Sequence, residues 1–126
     1  MNTAAFISAY NESRNGTDGF HFNPLYRNFL YSDGVKACAE AGCYWLLDIL
    51  GTELTRPMFK NRDSVMCIVK VKVADQRASI TGEFEDGDPR PYKRKVDYTD
   101  LPEGNWVFYV SDDGDGKLRC ILPKEY

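Results

Sequence analysis

The amino-acid sequence predicts an α+β fold, with N-terminal helices packed on an antiparallel sheet of about four to five strands. Three observations carry that expectation. Apolar residues recur at helical spacing between Phe29 and Leu50. Further on the period falls to two, most clearly in Val65-Met66-Cys67-Ile68-Val69-Lys70-Val71-Lys72-Val73. The changeover lies near Pro57, so helices precede strands instead of alternating with them. At 126 residues the chain has the size of one domain, with residues 1–57 mainly helix and loop and residues 63–122 an antiparallel meander.

Residues 3–11 read as a short helix, capped by Thr3, with Phe6, Ile7 and Tyr10 forming its apolar stripe. Asn11 to Asn28 is rich in Asn, Gly and Asp and reads as an irregular stretch, anchored to the body by Phe20, Phe22 and Tyr26. The block FLYSDGVKACAEAGCYWLLDIL follows. Ser32 or Asp33 offers a capping oxygen to the orphan N–H groups of a first helical turn. Val35, Cys38 and Ala39 keep helical spacing, Gly42 breaks the run, and Cys43, Leu46, Leu47 and Leu50 resume it. Trp45 and Leu47 are expected in the core. Thr55-Arg56-Pro57 ends the block, because the residue before a proline is pushed out of the α region.

The remainder reads as strands. Val65 to Val73 turns Lys70 and Lys72 away from its apolar face. After a turn at Ala74-Asp75-Gln76, Ala78, Ile80, Gly82 and Phe84 alternate with Ser79, Thr81 and Glu83. Glu85-Asp86-Gly87-Asp88-Pro89 turns into a polar third strand from about Tyr92 to Tyr98. Leu101-Pro102-Glu103-Gly104 leads into a fourth, Asn105 to Val110. Asp112-Asp113-Gly114-Asp115-Gly116 is a hairpin turn into a fifth, Lys117 to Leu122.

Composition excludes several classes. Hydrophobic residues at 43% and charged residues at 28% describe a soluble globular chain. No apolar run approaches the roughly 20 residues of a membrane span, so no membrane partner is expected. MNTAAFISAYNE has no basic segment followed by an apolar stretch, so a secretory signal is not expected and a cytoplasmic location is. Cys38, Cys43, Cys67 and Cys120 form no C-x2-C pair, and His21 is the single histidine. They read as reduced core thiols, with no metal and no cofactor. A net charge of −3 weighs against direct nucleic-acid binding, which needs clustered positive charge.

Four constellations invite a functional reading. The acidic turns at Glu85, Asp86 and Asp88, at residues 97–103, and at Asp112, Asp113 and Asp115 project from one meander, and carboxylates from alternate turns would form a negative patch. That patch is a candidate partner-binding surface; the alternative is plain solubility. A calcium loop starting at Asp113 fails, because Lys117 and Leu118 occupy its fifth and sixth positions. Phe20, Tyr26 and Arg27 are the next candidate for a partner. Arg90-Pro91-Tyr92-Lys93-Arg94-Lys95 is the one basic cluster, read as a polar edge strand with a nucleic-acid contact as the sharper alternative. Tyr31, Tyr44 and Asp48 form a possible ligand pocket, since Tyr44 shares a helical face with Asp48; the alternative is a structural hydrogen bond from Asp48. His21 has the chemistry of a general base but lies in Gly19-Phe20-His21-Phe22-Asn23-Pro24, which reads as loop anchoring.

The order of these segments resembles a family of small proteins of unknown function found in phages, prophages, plasmids and other mobile elements. The likeness rests on Gly16-Thr17-Asp18-Gly19-Phe20-His21, Tyr31-Ser32-Asp33-Gly34-Val35, Ala39-Glu40-Ala41-Gly42, Tyr44-Trp45-Leu46-Leu47-Asp48, Tyr98-Thr99-Asp100-Leu101-Pro102 and Leu122-Pro123-Lys124-Glu125-Tyr126. Ser32 and Lys124 depart from the family's Thr and Ser. The resemblance spans about residues 16–126. It implies a mobile-element origin and gives no activity or catalytic residue to carry over.

The functional expectation is a non-enzymatic protein that binds a host protein, such as an inhibitor of a bacterial defence system of the anti-CRISPR kind. Its partner would be a nucleic-acid-binding defence effector. The competing classes are a small-ligand or nucleotide-binding domain using the aromatic–acid pocket, and a minor enzyme with Asp33 or Asp48 as acid–base. The sequence leaves the oligomeric state open.

Overall fold

In a computed structural model, which describes residues 1–12, 18–59, 66–84 and 92–126, seven strands join in one sheet. They are β1 (Phe20–Phe22), β2 (Phe29–Ser32), β3 (Met66–Ala74), β4 (Arg77–Phe84), β5 (Tyr92–Val96), β6 (Gly104–Asp112) and β7 (Leu118–Ile121). Their spatial order is β1-β2-β7-β6-β3-β4-β5. All neighbours run antiparallel except β2 and β7, which are parallel. The helices are α1 (Thr3–Glu12), α2 (Asp33–Cys38) and α3 (Tyr44–Glu53).

The α+β expectation holds, and the strand count and the purely antiparallel sheet are corrected. The five strands expected after Pro57 all form. The two additional ones come from segments assigned to a loop and to the head of the helical block. Every residue of β2 is buried, so Phe29-Leu30-Tyr31-Ser32 lacks the alternation that marks a half-exposed strand. β1 has three residues, too few to show a period. The meander is also interrupted. β5 is an edge strand, and β6 pairs with the far side of β3 instead. The intervening segment passes the β3–β4 turn, where the Thr99 N–H bonds the Gln76 carbonyl and Leu101 is buried.

Local chemistry explains the helix boundaries. Ser32 caps α2, its Oγ accepting from the Val35 N–H at 3.2 Å. Gly42, at φ +131°, makes the break between α2 and α3. α3 ends where Leu54 turns extended. At α1 the capping oxygen belongs to Asn2, not Thr3: its Oδ1 accepts from the Ala5 N–H at 3.0 Å. Trp45 is half-buried at the margin of the core, while Leu47, on the inward face of α3, is fully buried.

The core lies on one side of the sheet. Cys67, Val69 and Val71 of β3, Ile80 of β4, and Phe108 and Val110 of β6 are sealed. They belong to one cluster with Phe6, Val35, Leu46, Leu47 and Leu50 of the helices. Each Val, Leu, Ile or Phe side chain among them contributes about 1.5–3 kcal/mol by leaving water. α1 sits over β6, where the Phe6 and Tyr10 rings meet Trp106 edge-on, each at 5.0 Å. β7 covers only residues 109–112 of β6, and beyond its end the Tyr10 Oη accepts the Val107 N–H at 3.0 Å. Glu53, at the end of α3, reaches the other edge and accepts from Tyr92 Oη at 2.7 Å and Arg94 Nη1 at 2.6 Å. Among the described residues no helix is long and apolar enough to cross a membrane.

Candidate functional site

Strand alternation sends every second residue to the face without helices. Reading the register across that face gives four rows. One is Asn105, Lys72, Ser79 and Lys95; the next is Val107, Lys70, Thr81 and Lys93. The third runs through Ile121, Tyr109, Ile68 and Glu83, and the fourth through Phe22, Leu30, Arg119, Ser111 and Met66. Arg77, opposite Ala74, extends the cationic corner. The strands thus gather Lys70, Lys72, Arg77, Lys93 and Lys95 at one end of the face, with the hydroxyls of Ser79 and Thr81 among them. Lys70 pairs with Glu83 at 3.1 Å. Among the described residues the other four have no ion-pair partner. A groove of about 520 Å³ opens at this corner, with Lys72, Arg77, Ser79 and Lys95 in its wall and Asp97 on its rim.

The other end of the face is aromatic. Phe20 is 40% exposed, Phe22 56% and Tyr126 79%. Tyr126 stands edge-on to Tyr109, the ring centroids 5.8 Å apart.

The acidic hairpin is largely satisfied by its own residues. Asp112 Oδ1 accepts the Gly114 N–H at 2.9 Å, and Asp115 Oδ1 accepts the Lys117 N–H at 3.2 Å. Arg119 donates to Asp115 at 2.6 Å and to Asp113 at 3.3 Å. That hydrogen-bonded guanidinium pulls the Asp115 carboxyl down to about 2. The same guanidinium lies 5.5 Å from the centre of the Phe20 ring. Two of the three hairpin carboxylates are therefore engaged by a cation. Glu85, Asp86 and Asp88 lie outside the described residues, as do Arg90 and Pro91.

The aromatic–acid residues meet on the helix side. Tyr26 Oη donates to Asp48 Oδ1 at 2.7 Å, so Asp48 ties α3 to the turn at Pro24–Tyr26. Tyr44 is 43% exposed and Tyr31 is buried. Burial, then the neighbouring Tyr44, Glu40 and Asp48, raises the Tyr31 phenol above its usual range. Tyr44 and Asp48 stand one turn apart on α3, and the phenol of Tyr26 is already on the carboxylate. His21 Nε2 lies 2.7 Å from Asp33 Oδ1, and its ring tilts against Tyr31 at 5.9 Å. Of Phe20, Tyr26 and Arg27, the last two line one groove of about 730 Å³ with Leu25 and Thr52, while Phe20 lies on the open sheet beside Arg119.

Sequence reasoning missed Lys70, Lys72, Arg77, Lys93 and Lys95 as one group. The signal was present in the alternation of Lys70 with Lys72 and of Lys93 with Lys95, which places each pair on one face. The register that brings β3 and β5 to either side of β4 was not readable.

These features define an α+β protein whose mixed sheet is covered on one face and presents cations and aromatic rings on the other. The chain belongs to the family of unknown function DUF6876, whose profile matches residues 8–126. No curated protein and no solved structure matches it.

Proposed function

We propose that this is a non-enzymatic binding protein of a phage or other mobile element, and that it engages a component of the host cell through the open face of its sheet. In that setting its role is inhibition of a bacterial defence system, of the anti-CRISPR kind, with a nucleic-acid-handling effector as the target. One observation carries the reading: the helices cover a single face of the sheet, and the other joins exposed rings to cations that lack ion-pair partners among the described residues. Exposed aromatics beside charge characterise interaction surfaces more than solvated ones.

The test is affinity capture from bacterial lysate with the natural chain, with a face variant (Lys72→Glu, Lys95→Glu, Phe22→Ala) and with a hairpin variant (Asp112→Asn, Asp113→Asn, Asp115→Asn). The expected outcome is a specific partner lost with the face variant and kept with the hairpin variant. Retention by the face variant would overturn this assignment.

The competing reading is a small-ligand or nucleotide-binding domain. It draws support from the cluster of Tyr31, Tyr44 and Asp48 and from the groove beside Arg27. A thermal-shift screen with nucleotides discriminates: a saturable rise in Tm, abolished by Asp48→Ala, would favour it.

A further inference from the structure

The charge of the open face runs against that of the molecule. The whole chain carries −3, yet the strands place Lys70, Lys72, Arg77, Lys93, Lys95 and Arg119 on this face, where Glu83 is the one carboxylate among the described strand residues and Asp97, Asp113 and Asp115 stand at its margins. Arg119 is held by the hairpin and Lys70 by Glu83. Lys72, Arg77, Lys93 and Lys95 remain as exposed cations, arranged about the hydroxyls of Ser79 and Thr81. A surface so polarised calls for a polyanion.

The rings narrow its class. Tyr109 is one alternation along β6 from Val107, the row partner of Lys70, and carries Tyr126 against it. Phe20 and Phe22 lie further off on β1, the opposite edge strand. Seven strands at about 4.8 Å spacing make a platform about 29 Å wide. Cations that follow a phosphate backbone, joined to exposed rings on which unpaired bases stack, are the two components of single-strand recognition. A stacked duplex would offer its phosphates to the lysines and nothing to the rings. An acidic protein segment would use the cations alone.

Resting on the reading of this face as the binding surface, we infer that its ligand is single-stranded nucleic acid, with phosphates on Lys72, Arg77, Lys93 and Lys95 and bases on Tyr126, Tyr109 and Phe22. Net charge alone pointed the other way, because it averages over a molecule whose fold sorts the charges by face.

Fluorescence anisotropy with labelled 20-nucleotide dT and rU oligomers tests this. Four phosphate contacts predict that affinity falls about 50-fold between 50 and 200 mM salt. Lys72→Glu with Lys95→Glu should abolish binding, and Phe22→Ala or Tyr126→Ala should weaken it about tenfold. All four side chains point outward, so unchanged circular dichroism and Tm establish that the variants fold. Absence of binding at 50 mM salt, or equal binding by the double lysine variant, would overturn the inference. So would equal affinity for a 20-base-pair duplex, or equal competition by polyglutamate of matched charge. The lysate capture separates the two readings. A protein partner that survives nuclease treatment and is lost with the face variant keeps the face as the binding surface and removes nucleic acid as its ligand.

Discussion

Ser32 and Glu125, 93 residues apart, share a hydrogen bond of 2.5 Å that fastens residues 123–125 to the start of α2. The buried carboxylate also accepts the Gly34 N–H at 3.1 Å and the Leu122 N–H at 2.9 Å. Ser32 Oγ in turn caps Val35. A negative group at a helix N-terminus is favoured by the positive end of the helix dipole. Glu125→Ala should destabilise the fold by about 3 kcal/mol, because several buried donors lose their acceptor together. Glu125→Gln should cost less, since the amide oxygen keeps an acceptor there. Gly34→Ala should be costly as well: its Cβ would meet the Glu125 carboxylate at 2.8 Å. Chemical denaturation checks all three, and an unshifted midpoint for Glu125→Ala would contradict the role given to this carboxylate.

The β3–β4 hairpin holds a stabilising substitution in reserve. Asp75 and Gln76 both sit at positive φ, +53° and +62°, as a two-residue turn closing the Ala74–Arg77 pair. Asp tolerates that region; a glutamine carries a Cβ penalty there without a short polar side chain to offset it. Gln76→Gly is expected to raise stability by about 0.5–1 kcal/mol. The bond from Thr99 to the Gln76 carbonyl is a backbone contact and survives the change. A lower Tm for this variant would show that the Gln76 side chain contributes more than its backbone conformation costs.

Much of this architecture was legible in the sequence, for identifiable reasons. The cap was readable as Ser32 or Asp33, Gly42 as a break and Leu47 as core, because capping, left-handed φ and helical spacing are local. The alternation of β3 and β4 is equally local. What could not be read depends on distant partners. β2 is a strand because β7 lies beside it, and Phe29-Leu30-Tyr31-Ser32 alone fits a helix head as well. Asp48 was recognised as needing a partner, but the sequence offered Tyr44 on the same helix, and the fold supplies Tyr26 from the preceding turn. The cationic face is the same kind of case, since Lys72 and Lys95 become neighbours only through the pairing of β4 with both strands.

The thiols should be inert in the folded protein. Cys38, Cys43, Cys67 and Cys120 are free and buried. Burial pushes Cys38 and Cys43 up to about 12, and raises Cys120 further. At pH 8 the thiolate fractions of Cys38, Cys43 and Cys120 are therefore far below that of an exposed cysteine. Labelling with a chromogenic disulfide should be slow in buffer and quick in denaturant, where all four thiols should count as free. Rapid reaction of a single thiol in native protein would contradict the packing of α2 and α3 on the sheet.

The hairpin clamp gives a prediction with a definite pH window. Arg119 lowers the Asp115 carboxyl from 3.8 to about 2. The unfolded chain binds that proton first as pH falls, so the clamp's contribution is whole above about pH 4 and is lost as pH drops through 2. Carboxyl NMR titration should find Asp115 near 2 in the natural chain and back in the ordinary range in Arg119→Gln. A second consequence concerns binding. Asp113→Asn with Asp115→Asn leaves Arg119 charged and unpaired on the open face, beside Phe20. If the face takes a polyanion, this double variant should bind the dT oligomer more tightly than the natural chain, with a steeper salt dependence. If the hairpin carboxylates themselves contact the partner, the same variant should bind it less. Measured against one oligomer and one captured partner, the sign of that change decides whether this end of the sheet works through its carboxylates or through the cation they hold.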